Sequence, residues 1–150
     1  MNFKSKFLEF DYIISKWAQN NSIYLLRFSL ALVFIWFGLN KVFDISPAKE
    51  LVSKTVYWGV DPDFFFIFLG FWEFVIGFCF IFQNLTRIGF YLFILQMAGT
   101  FLPMIILPDQ VYGEHFFELT LEGQYIVKNV TLIATAFAIY AKNNTRGNAS

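Results

Sequence analysis

Phe64–Phe82, FFFIFLGFWEFVIGFCFIF, shows water almost no polar face. Glu73 carries the only charge in that run. The hydrocarbon core of a bilayer is about 30 Å thick, and a helix that crosses it needs about 20 mostly apolar residues. Backbone amides in lipid must find partners within a helix or a closed barrel, and a continuous run of this length is helical. Working outward from it, Ile23–Phe43, Asp63–Phe82, Thr86–Leu107 and Gln124–Ala141 each approach crossing length. The expected architecture is all-α: an integral membrane four-helix bundle with short interfacial helices, forming a single domain over residues 1–150.

Composition supports this class. The chain is 57% hydrophobic with 22 Phe, too apolar for a soluble domain of this size. Four crossings with short connections leave no room for an independent soluble catalytic core. A formal net charge of zero gives no footprint for nucleic acid. The lone cysteine, Cys79, rules out an intrachain disulfide and cysteine-based metal sites; inside a span it is expected to pack as a small hydrophobe. Lys4, Lys6, Glu9, Asp11 and Lys16 interrupt the N-terminal apolar residues, unlike a cleaved signal peptide, so insertion of the whole chain is expected.

Four crossings put both termini on one side. Lys4, Lys6, Lys16, Arg27, Arg87, Lys142 and Arg146 would gather there, seven of the 11 basic residues. A basic excess marks the cytoplasmic face. Phe3, Phe7, Phe10, Ile14 and Trp17 form one stripe at helical spacing flanked by lysines, which predicts a surface helix over 3–17 on an anionic leaflet. In the first outer loop, Ser46 followed by Pro47 reads as a helix cap and first position. Leu51, Val52, Thr55 and Val56 would give that helix an apolar face, with Tyr57 and Trp58 at the interface. The second outer loop, Pro108–Gly123, carries Asp109, Glu114, Glu118 and Glu122 and no base, and is expected to be irregular. Pro103 predicts a kink in the third span.

An ionisable group near mid-bilayer costs about 2.5–3.5 kcal/mol on insertion scales and is seldom idle. Glu73 lies about ten residues, or about 15 Å, from the outer end of its helix. Gly70 and Gly77 share its face, so another helix can approach closely and Glu73 should point into the bundle. Matching faces run through Arg27, Ala31, Phe34, Gly38 and Lys41 in the first span, and through Gln96, Thr100 and Pro103 in the third. In the fourth, Gln124, Lys128, Thr131, Thr135 and Ala138 align. If all four stripes face inward they make a polar seam of Glu73, Lys128, Lys41, Gln96, Asn129 and Arg27, with Thr100 and Asn40 in its outer half. By depth, Lys128 is the first choice of partner for Glu73 and Lys41 the second. An unpaired carboxylate there would take up a proton, because its charged form is costly out of water.

The seam has two readings. It is a site for a ligand or a proton, or a network that fixes helix register without chemistry. Lys41 and Arg27 can each also be read as end-of-helix residues whose heads reach toward the surface. His115 beside Glu114 and Glu118 does not amount to a metal site, which needs three or four converging ligands.

Three runs resemble the DoxX-like family of small four-helix bacterial membrane proteins. LRFSLALVFIWFGLNKVF (Leu26–Phe43) resembles its opening helix, with Arg27 near the start and Gly38 and Lys41 near the end. LGFWEFVIGFCFIF (Leu69–Phe82) resembles the second, a G-x-x-E-x-x-x-G pattern carrying Glu73. LTLEGQYIVKNVTLIA (Leu119–Ala134) resembles the start of the last, with Lys128 and Asn129. The resemblance covers about residues 23–141. It implies a multi-pass protein of the bacterial inner (plasma) membrane. Some relatives look like subunits of membrane enzymes that pass electrons from sulfur compounds to quinone, others are associated with oxidative-stress complexes, and many have no assigned activity.

Three functions compete. The first is a quinone- or lipophile-binding redox subunit, with Glu73 donating a proton or hydrogen bond and Lys41 and Lys128 stabilising negative charge. Quinone is the candidate cofactor, and electrons would come from a membrane or redox protein partner because the chain encodes no redox centre. The second is a non-catalytic membrane scaffold. The third is a small proton-linked transporter, which at this size would have to form a homo-oligomer.

Overall fold

The structure, a computed structural model, describes residues 3–56, 60–115 and 117–147, with side chains from Lys4 through Asn143 inside those segments. Tyr57 and Trp58, assigned above to the interface, lie outside the described residues. Helix α1 (Phe3–Val42) runs unbroken for 40 residues, about 60 Å at the usual helical rise. The expected surface helix over 3–17 is therefore the first part of the same helix that enters the bundle. No Gly or Pro stands between Trp17 and Ile23 to stop it. Asn21 even donates from its side chain to Trp17 O at 2.8 Å, within the helix's own turn. Phe7, Phe10, Ile14 and Trp17 are all exposed.

α1 ends sharply. Asp44 adopts a left-handed φ of 55°; its N–H donates to Lys41 O at 3.1 Å and that of Ile45 to Asn40 O at 2.9 Å. Those two bonds form a Schellman stop. It leaves Ser46 and Pro47 in the connecting turn, so α2 (Lys49–Thr55) starts after Ala48 with no side-chain cap, later than the expected cap at Ser46. Ser46 Oγ accepts only a long 3.4 Å bond from Ala48 N. Lys49 bridges this connection, pairing with Asp44 at 2.8 Å and Asp63 at 3.0 Å. Both carboxylates hold the Lys49 ammonium above the usual lysine range, Asp44 most strongly.

α3 (Pro62–Ile81) occupies the stretch quoted at the outset. Asp61 caps it by accepting from Asp63 N and Phe64 N, and Pro62 takes the first turn, where its missing N–H costs nothing. A 3₁₀ turn (Gln83–Leu85) leads to α4 (Thr86–Phe101). The helix breaks at Leu102, one residue before Pro103, whose ring removes an amide donor; α5 (Pro103–Ile106) and α6 (Pro108–Val111) follow. The acidic loop is more ordered than expected. Tyr112 and Leu119 form an isolated antiparallel bridge, and Thr120 Oγ1 donates to Gln110 O at 2.7 Å. Thr120 then caps α7 (Leu121–Val127). Among the described residues this bridge is the only β pairing. The expected fourth span, Gln124–Ala141, is interrupted by a turn at Lys128, and α8 (Asn129–Gly147) is the last of the described helices.

The four long helices pack in a ring, α1 on α3, α3 on α4, α4 on α8 and α8 on α1. Its centre is aromatic. Phe93 meets Phe34 edge-on at 5.4 Å and Phe80 at 6.1 Å, and Phe90 stacks on Tyr140 at 4.2 Å. Cys79 is buried, so tightly against Gly89 that a methyl there would come within 2.7 Å of its Cβ. Among the described residues, Lys4–Val42, Pro62–Ile81 and Gln83–Ile106 are long and apolar enough to cross a membrane. Their outward faces carry Phe28, Trp36, Phe64, Phe71, Tyr91 and Leu95, all more than half exposed. That is the surface a bilayer covers, and the chain is an all-α membrane protein.

Candidate functional site

The buried polar groups of the ring's middle sit where α1, α3 and α4 meet. Lys41 Nζ donates to Glu73 Oε2 at 2.6 Å. Gln96 Nε2 donates to the other oxygen, Oε1, at 3.0 Å. Glu73 is 8% exposed, Lys41 6% and Gln96 9%. Thr100 Oγ1, one turn along α4, donates to the backbone Gln96 O at 3.0 Å. Hydrogen bonds to an ionised partner are the strong kind, and low-polarity surroundings strengthen them further.

Glycines make this meeting possible. A methyl on Gly38 would lie 2.6 Å from Gly70 O and 2.7 Å from Phe74 N; one on Gly70 would lie 2.8 Å from Gly38 O and 2.9 Å from Lys41 Cβ. At Gly77 it would meet Ala31 O at 2.8 Å. The pairings 38 with 70 and 31 with 77 show α1 and α3 running antiparallel with backbones in near contact. Small residues permit such an approach where lipid gives no hydrophobic drive for helix association.

Lys128, the first expected partner, does not reach Glu73. Its ammonium lies 3.9 Å from the centre of the Tyr125 ring, on an exposed surface. Helical side chains tilt toward the N-terminus of their own helix. Lys41 stands in the last turn of α1, so its tilt sends the ammonium back into the bundle. Lys128 stands before the start of α8, so the same tilt sends it away, toward α7. The ring order adds to this, since α8 packs mainly on α1 and α4.

The rest of the expected seam is dispersed. Asn129 donates from Nδ2 to Tyr125 O at 3.2 Å and stays near the surface. The stripe of Gln124, Lys128, Thr131, Thr135 and Ala138 faces largely outward; Thr135 Oγ1 is satisfied by Thr131 O at 2.9 Å within its own helix. α8 turns its apolar side inward instead, with Ala136 and Ile139 wholly buried in the core. Arg27 belongs to a separate contact, with Nη2 donating to Thr86 Oγ1 at 2.6 Å. It is about 21 Å along α1 from Lys41 at the helical rise. Thr86 is fully buried and the sequence reading passed over it. Its signal was available: a span's arginine needs an acceptor, and Thr86 opens the helix whose end lies at Arg27's depth.

Of six expected site residues, the structure brings together Glu73, Lys41 and Gln96. Their chemistry is one acceptor between two donors, with spare capacity on one side. An ammonium has three N–H donors and Glu73 takes one. A carbonyl oxygen could therefore be received by Lys41 without breaking the pair. Among the described residues no cluster of three or more His, Cys, Asp or Glu could hold a metal ion.

A family model described as DoxX matches residues 22–105, more than half of the 150-residue chain. It takes in the first two resembling runs, with Lys41, Glu73 and Gln96, and ends before the third. No curated protein and no solved structure matches the chain.

Proposed function

The chain belongs to the DoxX family, and from that premise we propose that it is a quinone- or lipophile-binding subunit of a membrane redox system. The observation that carries the reading is the Lys41–Glu73–Gln96 cluster, buried among apolar helices with spare N–H donors on Lys41. Pockets for lipophilic ligands are mainly apolar with a few converging polar groups. Lys41 would donate to a ligand carbonyl and offset negative charge growing on it. Glu73 would hold Lys41 in place and exchange a proton beside it, while Gln96 fixes the carboxylate's orientation. Bound quinone would supply the electron and proton capacity that these side chains lack. Electrons would come from a membrane protein partner, and contact between copies of the chain is compatible with the exposed apolar faces.

In the same reading α8 is the fourth crossing, both termini face the cytoplasm of a bacterium and the membrane is the inner one. The supports are the basic excess on the terminal side and the family match. One observation favours a second reading, a scaffold without a ligand: both oxygens of Glu73 already have partners within the chain. Titration of a short-chain quinone into discs holding wild type or Glu73→Gln separates them, read by tryptophan quenching. The ligand reading expects saturable quenching that weakens about tenfold or more in the variant, the scale of one charged hydrogen bond. Equal, unsaturable quenching in both supports the scaffold.

A further inference from the structure

A second polar feature lies at the opposite end of the ring and is independent of the cluster around Glu73. A cleft of about 160 Å³ opens between α1, the end of α3 and the end of α8. Arg27 and Lys142 give it two cations, Gln83 and Asn143 two side-chain amides, and Ile23 and Ile81 an apolar border. Arg27 is buried, and its bond to Thr86 anchors the guanidinium at Nη2. A guanidinium has five donors and Thr86 accepts from one nitrogen, so the group can serve a second acceptor. No Asp or Glu occurs from Tyr12 to Phe43, from Phe74 to Pro108 or from Gly123 to Ser150, the segments that form this end. Its chemistry therefore suits an anion.

We propose that this cleft binds the phosphate of an anionic phospholipid headgroup. A free phosphate ion shares the headgroup's charge but has no use for the apolar border. Exposed Ile81 at the end of α3, Phe82 just beyond it and Phe28 on α1 continue from that border along the outer faces of the spans, where acyl chains would lie. Basic pockets between spanning helices at the membrane surface are suited to such headgroups. Arg27 would grip the phosphate at the floor, Lys142 would close over it, and Gln83 and Asn143 would donate to its remaining oxygens.

The test is lipid retention, measured by native mass spectrometry of full-length protein released from discs of equal phosphatidylglycerol and phosphatidylcholine. Lys142 is exposed, so Lys142→Gln should leave folding intact, and circular dichroism checks this. Wild type should retain phosphatidylglycerol preferentially, and each lost cation should weaken retention about fivefold, the equivalent of about 1 kcal/mol per basic residue near a membrane surface. Gln83→Leu should weaken it less. Equal retention of the two lipids, or an unchanged preference in Lys142→Gln, would overturn the assignment. Displacement of the lipid by millimolar inorganic phosphate would overturn it too, by reassigning the cleft to a soluble anion.

Discussion

Lys41→Met keeps the length of the side chain but removes the cation that sits 2.6 Å from Glu73. The carboxylate then retains only Gln96, in a position 8% exposed. Breaking a buried pair by removing one partner costs about 3–5 kcal/mol. Protonation sets a ceiling on that loss: neutralising an ordinary carboxylate at pH 7 costs about 3.7 kcal/mol, from a reference pKa of about 4.3 and 1.36 kcal/mol per unit. The expected penalty is therefore about 3–4 kcal/mol at pH 7, falling to about 1 kcal/mol at pH 5, where the proton is more readily available. Glu73→Gln alone strands the ammonium and should cost a similar amount. The double variant Lys41→Met/Glu73→Gln leaves no buried charge and keeps a partner for Gln96. It should lie within about 1 kcal/mol of wild type, since neutral replacement of a buried pair is often tolerated. Reversible unfolding in bicelles, run as a double-mutant cycle at both pH values, reads these quantities. Additive single effects, within about 0.5 kcal/mol, would refute the pairing, as would a Lys41→Met penalty that ignores pH. Lys128→Met, by contrast, should leave stability within about 0.5 kcal/mol of wild type.

Glycine substitutions should split by place. Gly38→Ala and Gly70→Ala push a methyl against facing backbone and should cost about 1–3 kcal/mol, whereas Gly99→Ala, with nothing within 4 Å, should stabilise by about 0.5–1 kcal/mol; both are read by the same unfolding assay. Thr86→Val strands an Arg27 donor and should cost about 1–3 kcal/mol, with Thr86→Ser restoring most of it. Asp61→Ala removes the α3 cap and should cost about 0.5–2 kcal/mol, with faster amide exchange confined to the first turn of α3. Lys49 titrates above its ordinary range because Asp44 and Asp63 flank it. A raised folded-state pKa means its support is fully present below the unfolded value and lost as pH climbs past the folded one. Cleavage by an alkali-tolerant protease in the α1–α2 connection should thus be flat from pH 7 to about pH 10 and rise beyond that, and Lys49→Met should show the high rate throughout.

The first three spans are legible in the sequence because lipid forces them to be: apolar length and the demand that each amide find a partner leave few alternatives. Glu73's inward orientation was legible from Gly70 and Gly77, which mark the face where another backbone comes close. Depth alone favours Lys128 over Lys41 as its partner and does not decide between them. The tilt of side chains toward their helix N-terminus, which turns Lys41 inward and Lys128 outward, needs only chain direction and could have decided the matter. The polar stripe of α8 does not turn inward as expected. Thr131 and Thr135 lie on the more exposed side, and Ala136 and Ile139 fill the space beside Phe90 and Phe93. The order of helices around the ring, which packs α8 mainly on α1 and α4, is a long-range property that no local spacing encodes. Likewise Ser46 has the chemistry of a cap, and only the Schellman stop at Asp44 shows why it is not used as one.

Lys41, Glu73 and Gln96 are proposed above to receive a lipophilic carbonyl ligand. Extraction of wild type and Glu73→Gln directly from cell membranes into native discs, followed by mass spectrometry of the bound small molecules, tests this most directly. The expected result is a quinone near one per chain in wild type and its loss from a variant that still inserts and folds. Bulk phospholipid alone in both samples would contradict it and leave the buried cluster a role in fixing helix register.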